Sequence, residues 1–185
     1  MVSAAAELLC EGGFDAVRHR AVARRAGLPL ASTTYYFSSL DDLIAKAVEH
    51  VGEQEAQQLR VKLAGLARRR RGVESTADVL VDLLLGDCPT AQISDWLISR
   101  YERYVVCARQ PALREIQQKI RRQRADAVVE AVERSGRSVR SNRLTALVCA
   151  VDGAVVAALI DDKEKARDSA KATLVDVIDT LAPFE

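Results

Sequence analysis

Four arginines, Arg18, Arg20, Arg24 and Arg25, fall within eight residues, and no acidic residue occurs between positions 16 and 40. Guanidinium groups at this density favour phosphate oxygens by charge and by paired hydrogen bonds. The segment Leu30-Ala31-Ser32-Thr33-Thr34-Tyr35-Tyr36 follows, and its side chains are small, hydroxyl-bearing or aromatic. Hydroxyls can donate to phosphate, while methyls and rings can pack on thymine methyl groups. Between the two segments, Ala23 and Gly27 stand four apart. Ala23 leaves room for a second helix to cross closely, and Gly27 supplies the positive φ of a sharp turn. Leu30 to Tyr36 then makes about two helical turns, roughly 10 Å, a length that fits a B-DNA major groove. The pattern predicts a helix-turn-helix that grips double-stranded DNA.

Other reactive residues do not assemble in the sequence. Cys10, Cys88, Cys107 and Cys149 are far apart, with no C-x-x-C pair, and His19 and His50 form no ligand cluster with them. Buried reduced thiols are expected, with no metal site. No nucleophile-base pair or phosphate loop points to an enzyme. The 27 basic and 26 acidic residues give a net charge of +1, so the total says little about nucleic acid and the local patches decide. No uninterrupted apolar run approaches the roughly 20 residues that span a bilayer, and the start lacks the basic segment and cleavage site of a signal peptide. The expectation is a cytoplasmic chain with no membrane partner.

Glycine and proline are scarce, alternation is absent, and apolar residues recur at three and four, so the fold class is all-α. A first helix from about Ser3 to Glu11 should end at Gly12-Gly13 and present Phe14, as a plug, and Val17 to a small core. Arg20 to Ala26 and Leu30 to Phe37 give the second and third helices. Ser39 is an N-cap before Asp41 and Asp42. A fourth helix runs from Leu40 past Leu59 and Leu63, and Arg68-Arg69-Arg70-Arg71-Gly72 marks its end. Such an arginine run resembles a nucleic-acid patch, but cations at a helix C-terminus are the simpler account. Further helices are predicted at about 75–86, 91–108, 112–135, 142–161 and 164–181. Ser75, Thr90 and Ser141 are N-cap candidates, and Gly86-Asp87-Cys88-Pro89 and Gly136 are breaks.

Two later segments carry interaction chemistry. Leu144 to Ile160 is apolar nearly all round and must be buried on more than one side. Val151, Ala154, Val155 and Ala158, with Leu174, Val177, Ile178 and Leu181 on the last helix, make matching stripes for a four-helix interface between two copies. The alternative is a core within one chain. On the segment from Ile93 to Cys107, Trp96, Arg100, Tyr104 and Cys107 follow helical spacing and could line an effector pocket that mixes apolar walls with polar groups. A plain core role competes. Arg100 could pair with an anionic effector or with a neighbouring Glu or Asp.

The first 50 residues resemble the DNA-binding domain of the tetracycline-repressor-like (TetR) family. The resemblance rests on Ala4-Ala5-Ala6-Glu7-Leu8-Leu9, Gly13-Phe14-Asp15-Ala16-Val17, Val22-Ala23-Arg24-Arg25-Ala26-Gly27, Thr34-Tyr35-Tyr36-Phe37, and Ser39 with Asp42-Leu43. It implies an all-helical homodimeric regulator, with a helix-turn-helix domain at 1–50 and a ligand-binding and dimerisation domain at 51–185. Such a regulator, most simply a repressor, is released from a palindromic operator by a small-molecule effector, here unidentified, and needs no cofactor. An alternative is a DNA-binding dimer controlled by a protein partner. Carried over by position, the resemblance puts Leu30, Ala31, Ser32, Thr34, Tyr35 and Tyr36 on the DNA-facing side, Arg18 and Arg20 at the backbone, and Thr33 and Phe37 in the core. Tyr35 and Tyr36 could instead serve mainly in packing. Position 18, usually a capping Thr in the family, is Arg; position 31, often Gly, is Ala; and position 40, often a phosphate-binding Lys, is Leu. The basic arm of many members has no counterpart before the first helix, so either affinity is lower or the start is truncated.

Overall fold

The computed structural model describes residues 1–86, 93–161 and 166–184. Among these it holds nine helices and no strand: α1 Val2–Ala16, α2 His19–Ala26, α3 Leu30–Tyr36, α4 Leu40–Gly65, α5 Val73–Leu85, α6 Ile93–Arg109, α7 Pro111–Arg134, α8 Ser141–Asp161 and α9 Ala166–Leu181. The chain is all-α, as its periodicity predicts.

The turns follow from single residues. At Gly13 (φ 65°, ψ −164°) the backbone leaves the helix and α1 kinks, a conformation essentially closed to residues with a Cβ. At Gly27 (φ 66°) α2 stops; the Gly27 N–H donates to Arg24 O and the Leu28 N–H to Ala23 O, closing the helix end. Ser39 caps α4: the Asp42 N–H donates to its Oγ at 3.1 Å, and the Ser38 N–H donates back to the Asp42 carboxylate at 3.1 Å.

Several boundaries differ from the sequence expectation. Ser75 is not a cap but lies inside α5, which starts from Gly72, and the Thr76 hydroxyl donates to the Gly72 carbonyl at 2.9 Å. Ser141 is the first residue of α8, whose opening carbonyl belongs to Arg140. Gly86 closes α5 at φ 74°, while Asp87, Cys88, Pro89 and Thr90 lie outside the described residues. Helix α4 ends at Gly65, before the arginine run. Arg71 is then buried, donating to Ala67 O at 2.9 Å and Arg134 O at 3.0 Å, and Arg70 stacks on the Phe184 ring at 4.1 Å. These arginines satisfy loop carbonyls and fasten the C-terminus.

The chain divides into two compact units, Met1–Glu55 with Asp95–Ile120 and Ala56–Ser94 with Arg121–Glu185. The core of the first joins Ala5, Leu9, Val17, Val22, Leu43, Ala47 and Val48 to Cys107, Leu113 and Ile120. Phe14 is only half-buried at its edge and is not the plug expected, while Val17 is fully buried as expected. Gly52 is required by close approach, since a Cβ there would meet Ile120 at 2.5 Å. In the second unit α9 packs along α8 and against α5, burying Leu80, Leu84, Leu147, Val151, Val155, Leu174 and Ile178. Helix α8 is long and apolar enough to cross a membrane by length and composition, which the count of uninterrupted apolar residues missed. Here its inner face is filled within the unit, and its Asp152 holds the buried Arg124 at 3.0 Å.

Candidate nucleic-acid interface and effector cleft

Helix α3 is held from below by Thr33, fully buried, whose hydroxyl donates to Leu30 O at 2.8 Å. Phe37 packs half-buried against the same core. The opposite face stands open. Tyr35 and Tyr36 are 83% and 66% exposed and meet edge to face at 5.1 Å; Leu30, Ala31 and Thr34 are exposed beside them and Ser32 is half-buried. Two large aromatic side chains on a seven-residue helix would not stand in water for packing's sake.

The arginines divide by their partners. Arg25 donates to Glu11 at 2.6 and 2.9 Å and to Glu7 at 3.3 Å, bracing α2 on α1. Hydrogen bonding from Arg25, with a lesser part from its charge, holds the Glu11 carboxyl below its usual value against the opposing effect of burial. Arg18 folds back on Asp15 at 2.9 Å and on the carbonyls of Phe14 and Val17, so its guanidinium would have to swing away to meet phosphate. Arg20 and Arg24 are exposed one turn apart on α2. Arg24 is a candidate that position-by-position transfer from the family missed, although the i, i+4 spacing from Arg20 signals it. Leu40 packs half-buried against the core.

The proposed pocket stripe is only partly brought together. Trp96 and Arg100 line one cleft with Leu9, Cys10, Glu55, Ser99 and Arg103, and the Arg100 guanidinium lies 5.1 Å from the Trp96 ring centre. Tyr104 instead stacks on Tyr101 at 6.1 Å, and Cys107 is 1% exposed in the core, where burial pushes its thiol up to about 11. Arg103 and Glu55 were not anticipated. They form an ion pair of 2.7 Å with side chains only 4% and 16% exposed. Burial pulls the Arg103 pKa down, but the charge and hydrogen bond of Glu55, with lesser contributions from Cys10 and Tyr104, hold it above the ordinary value. The signal was available, since Arg103 is one turn beyond Arg100 on the inward face of α6.

On α8 and α9, Val151, Val155, Ala158, Leu174 and Ile178 are buried within their own unit, and Ala154, Val177 and Leu181 are half-buried. The face left open on α8 carries Ala146, Gly153 and Ala157, small residues that the sequence offers for close helix contact, together with Cys149, Val156 and Ile160. From Ala146 to Ile160 it is apolar, with Ile160 86% exposed, while the exposed Asn142 and Thr145 make its beginning polar. Cys149, expected to be buried, stands on it. Among the described residues no group of His, Cys, Asp or Glu could hold a metal.

A braced helix-turn-helix with an open second helix, continuous with a larger helical region, defines a helix-turn-helix transcriptional regulator. The comparisons place it more closely. Residues 1–47 match the model for bacterial regulatory proteins of the tetR family, and residues 71–180 match the tetracyclin repressor-like C-terminal domain. The chain belongs to the tetracycline-repressor family and is a transcriptional regulator of that family. It is similar to the multidrug-binding protein EbrR, solved with proflavin, at 26% identity over 95% of each chain and a TM-score of 0.67. It is also similar to a TetR-family member from Streptomyces coelicolor A3, at 27% identity over 95% of this chain and 94% of the other, with a TM-score of 0.64. A regulator from Saccharomonospora viridis in complex with choline shares the fold, with a TM-score of 0.75 at 16% identity over 98% and 95% of the two chains. No curated protein matches the chain.

Proposed function

We propose that this regulator is a cytoplasmic repressor that binds a palindromic operator as a homodimer and leaves it when a small-molecule effector binds. In this scheme residues 1–50 read DNA and residues 51–185 supply dimerisation and most of the ligand-responsive body. The observation that carries the DNA-binding role is the exposure of Tyr35 and Tyr36 on a helix whose other face is locked by buried Thr33. Arg20 and Arg24 add charge toward phosphate, and Tyr36, Thr34, Ala31 and Leu30 meet base edges and methyl groups. The open apolar stripe of α8 supports pairing of two copies, because a contiguous aliphatic face is costly in water and two-fold symmetry lets one stripe cover itself. Effector control is supported by the ligand complexes of EbrR and by the cleft around Trp96, Arg100 and Arg103. An effector shifts the equilibrium only as far as it prefers the state that does not bind DNA.

A mobility-shift titration with the DNA flanking the gene tests this. Specific binding by a dimer, reversed by a compound that also raises the melting temperature of the protein, is the expected result. Specific binding that no small molecule reverses would leave a repressor governed by a protein partner.

A further inference from the structure

The cleft on α6 has an unusual composition for so small a space. Its described lining carries two guanidinium groups, Arg100 and Arg103, and one carboxylate, Glu55, with the Ser99 hydroxyl, the Cys10 thiol, Trp96 and Leu9 completing the wall. Arg100 and Arg103 are 7% and 4% exposed. Its free volume is about 10 Å³, room for about one water molecule. An organic ligand cannot simply be added; something already there must leave. Glu55 is the group placed to do so. It is the more exposed member of the pair, at 16% against 4% for Arg103, and what it gives Arg103 is a carboxylate that another molecule can replace.

We propose that this cleft is a carboxylate-exchange site, where the carboxylate head of a small monoanionic effector displaces Glu55 from Arg103 and lies between Arg103 and Arg100. The proposal rests on the effector-responsive reading above and gives that effector its charge. A cation is disfavoured, since it would enter beside two buried guanidiniums; a carboxylate keeps Arg103 paired throughout, so no uncompensated buried charge is created. Trp96, half-buried on the cleft wall, offers a flat surface for an apolar or aromatic body behind the head. The exchange also has a route to DNA. Leu9 and Cys10 on the cleft wall belong to α1, the helix whose Glu7 and Glu11 brace Arg25 of α2, and releasing Glu55 removes the ion pair that ties α4 to α6.

Trp96 is the only tryptophan in the chain, so its fluorescence reports on the cleft. Benzoate and hexanoate, with choline as the cationic control, are titrated at constant ionic strength into the wild type, Glu55→Gln and Arg100→Gln. The wild type should saturate with benzoate, Glu55→Gln should bind it at least tenfold more tightly, and Arg100→Gln at least tenfold more weakly, with no response to choline. Benzoate should also raise the melting temperature of Glu55→Gln more than that of the wild type, by restoring the missing carboxylate. If Glu55→Gln does not fold, Glu55→Asp, whose shorter arm holds Arg103 less well, should still bind benzoate more tightly than the wild type. Equal affinities in the wild type and the Glu55 variant, unchanged affinity in Arg100→Gln, or tighter binding of choline than of either carboxylate would overturn the exchange site. Operator release separates this from the broader reading. Release by cations alone sinks the carboxylate site and leaves a ligand-responsive repressor. Carboxylate binding with the predicted variant pattern but no effect on DNA leaves the site and removes its regulatory role.

Discussion

Helices α3 and α8 both expose large apolar side chains, and the two exposed faces differ in kind. On α3 the open residues are Tyr35 and Tyr36, amphipathic rings with hydroxyl tips, set near the exposed Arg20 and Arg24. On α8 they are Val156 and Ile160, with Ala146, Ala157 and Gly153, and no polar tip among them. A surface for hydrated, charged nucleic acid needs groups that are content in water until the partner arrives. A surface for a permanent protein partner does not, because it is never left wet for long. On the proposed function, the contrast is that between a reversible interface with DNA on α3 and a lasting one with a second copy on α8.

The largest effect should come from crossing the two faces of α8 itself. Val155→Arg would place an unpaired charge in the core of the second unit and should abolish cooperative folding. Val156→Arg, one residue on and exposed, should leave a folded protein that is monomeric by sedimentation. A dimeric Val156→Arg would move the interface off this stripe.

On α3 and α2, Tyr36→Ala and Arg20→Ala should each weaken operator binding by about tenfold or more, the scale of a lost base or phosphate contact. Both positions are exposed, so stability should change by less than about 0.5 kcal/mol. A matching loss of thermal stability would show these side chains to be packing residues and erase the contrast with α8.

A smaller comparison concerns the two turns that aim α3. Gly27→Ala meets no neighbour and should cost only about 1–2 kcal/mol of left-handed strain. Gly13→Ala should cost more, because its backbone is confined to glycine; the Glu102 carboxylate that a Cβ would overlap is the end of a flexible, exposed side chain and can move aside. Chemical denaturation of the two variants orders them.

The smallest effect is electrostatic. Glu11 has its pKa lowered in the folded state by Arg25, so its contribution to stability is present above the ordinary carboxyl value of 4.5 and is lost as pH falls below it. Melting curves between pH 6 and 3 should show a slightly shallower acid loss in Glu11→Gln than in the wild type. Identical slopes would mean that solvent screens the Arg25 brace completely.

The helix-turn-helix was legible in the sequence because its signals are local, Gly27 with its positive φ and Ser39 capping within three residues, while the inward places of Thr33 and Phe37 came from the family resemblance. The α8–α9 stripes were legible as apolar but not as to partner. In a helix apolar on nearly all sides, periodicity alone does not say which face its own chain covers. Val151 and Val155 turned inward, and the stripe of Gly153, Val156 and Ile160 remained outside. The Glu55–Arg103 pair was hidden for a further reason. Its members lie 48 residues apart, Glu55 in the polar stretch of α4 that reads as solvent-facing, and only packing of α6 against it reveals a buried charge pair. The partners of Arg18 and Arg25 were likewise invisible, since Asp15, Glu7 and Glu11 stand just outside the acid-free window that made the arginines look uniformly available.

The central claim, that the open face of α3 with Arg20 reads operator DNA as part of a two-fold assembly, is met most directly by footprinting the DNA flanking the gene. The expected result is protection of two inverted half-sites in successive major grooves, lost together in Tyr36→Ala and Arg20→Ala and retained in Glu11→Gln. Protection of a single unpaired site, or a symmetric footprint indifferent to both substitutions, would contradict it.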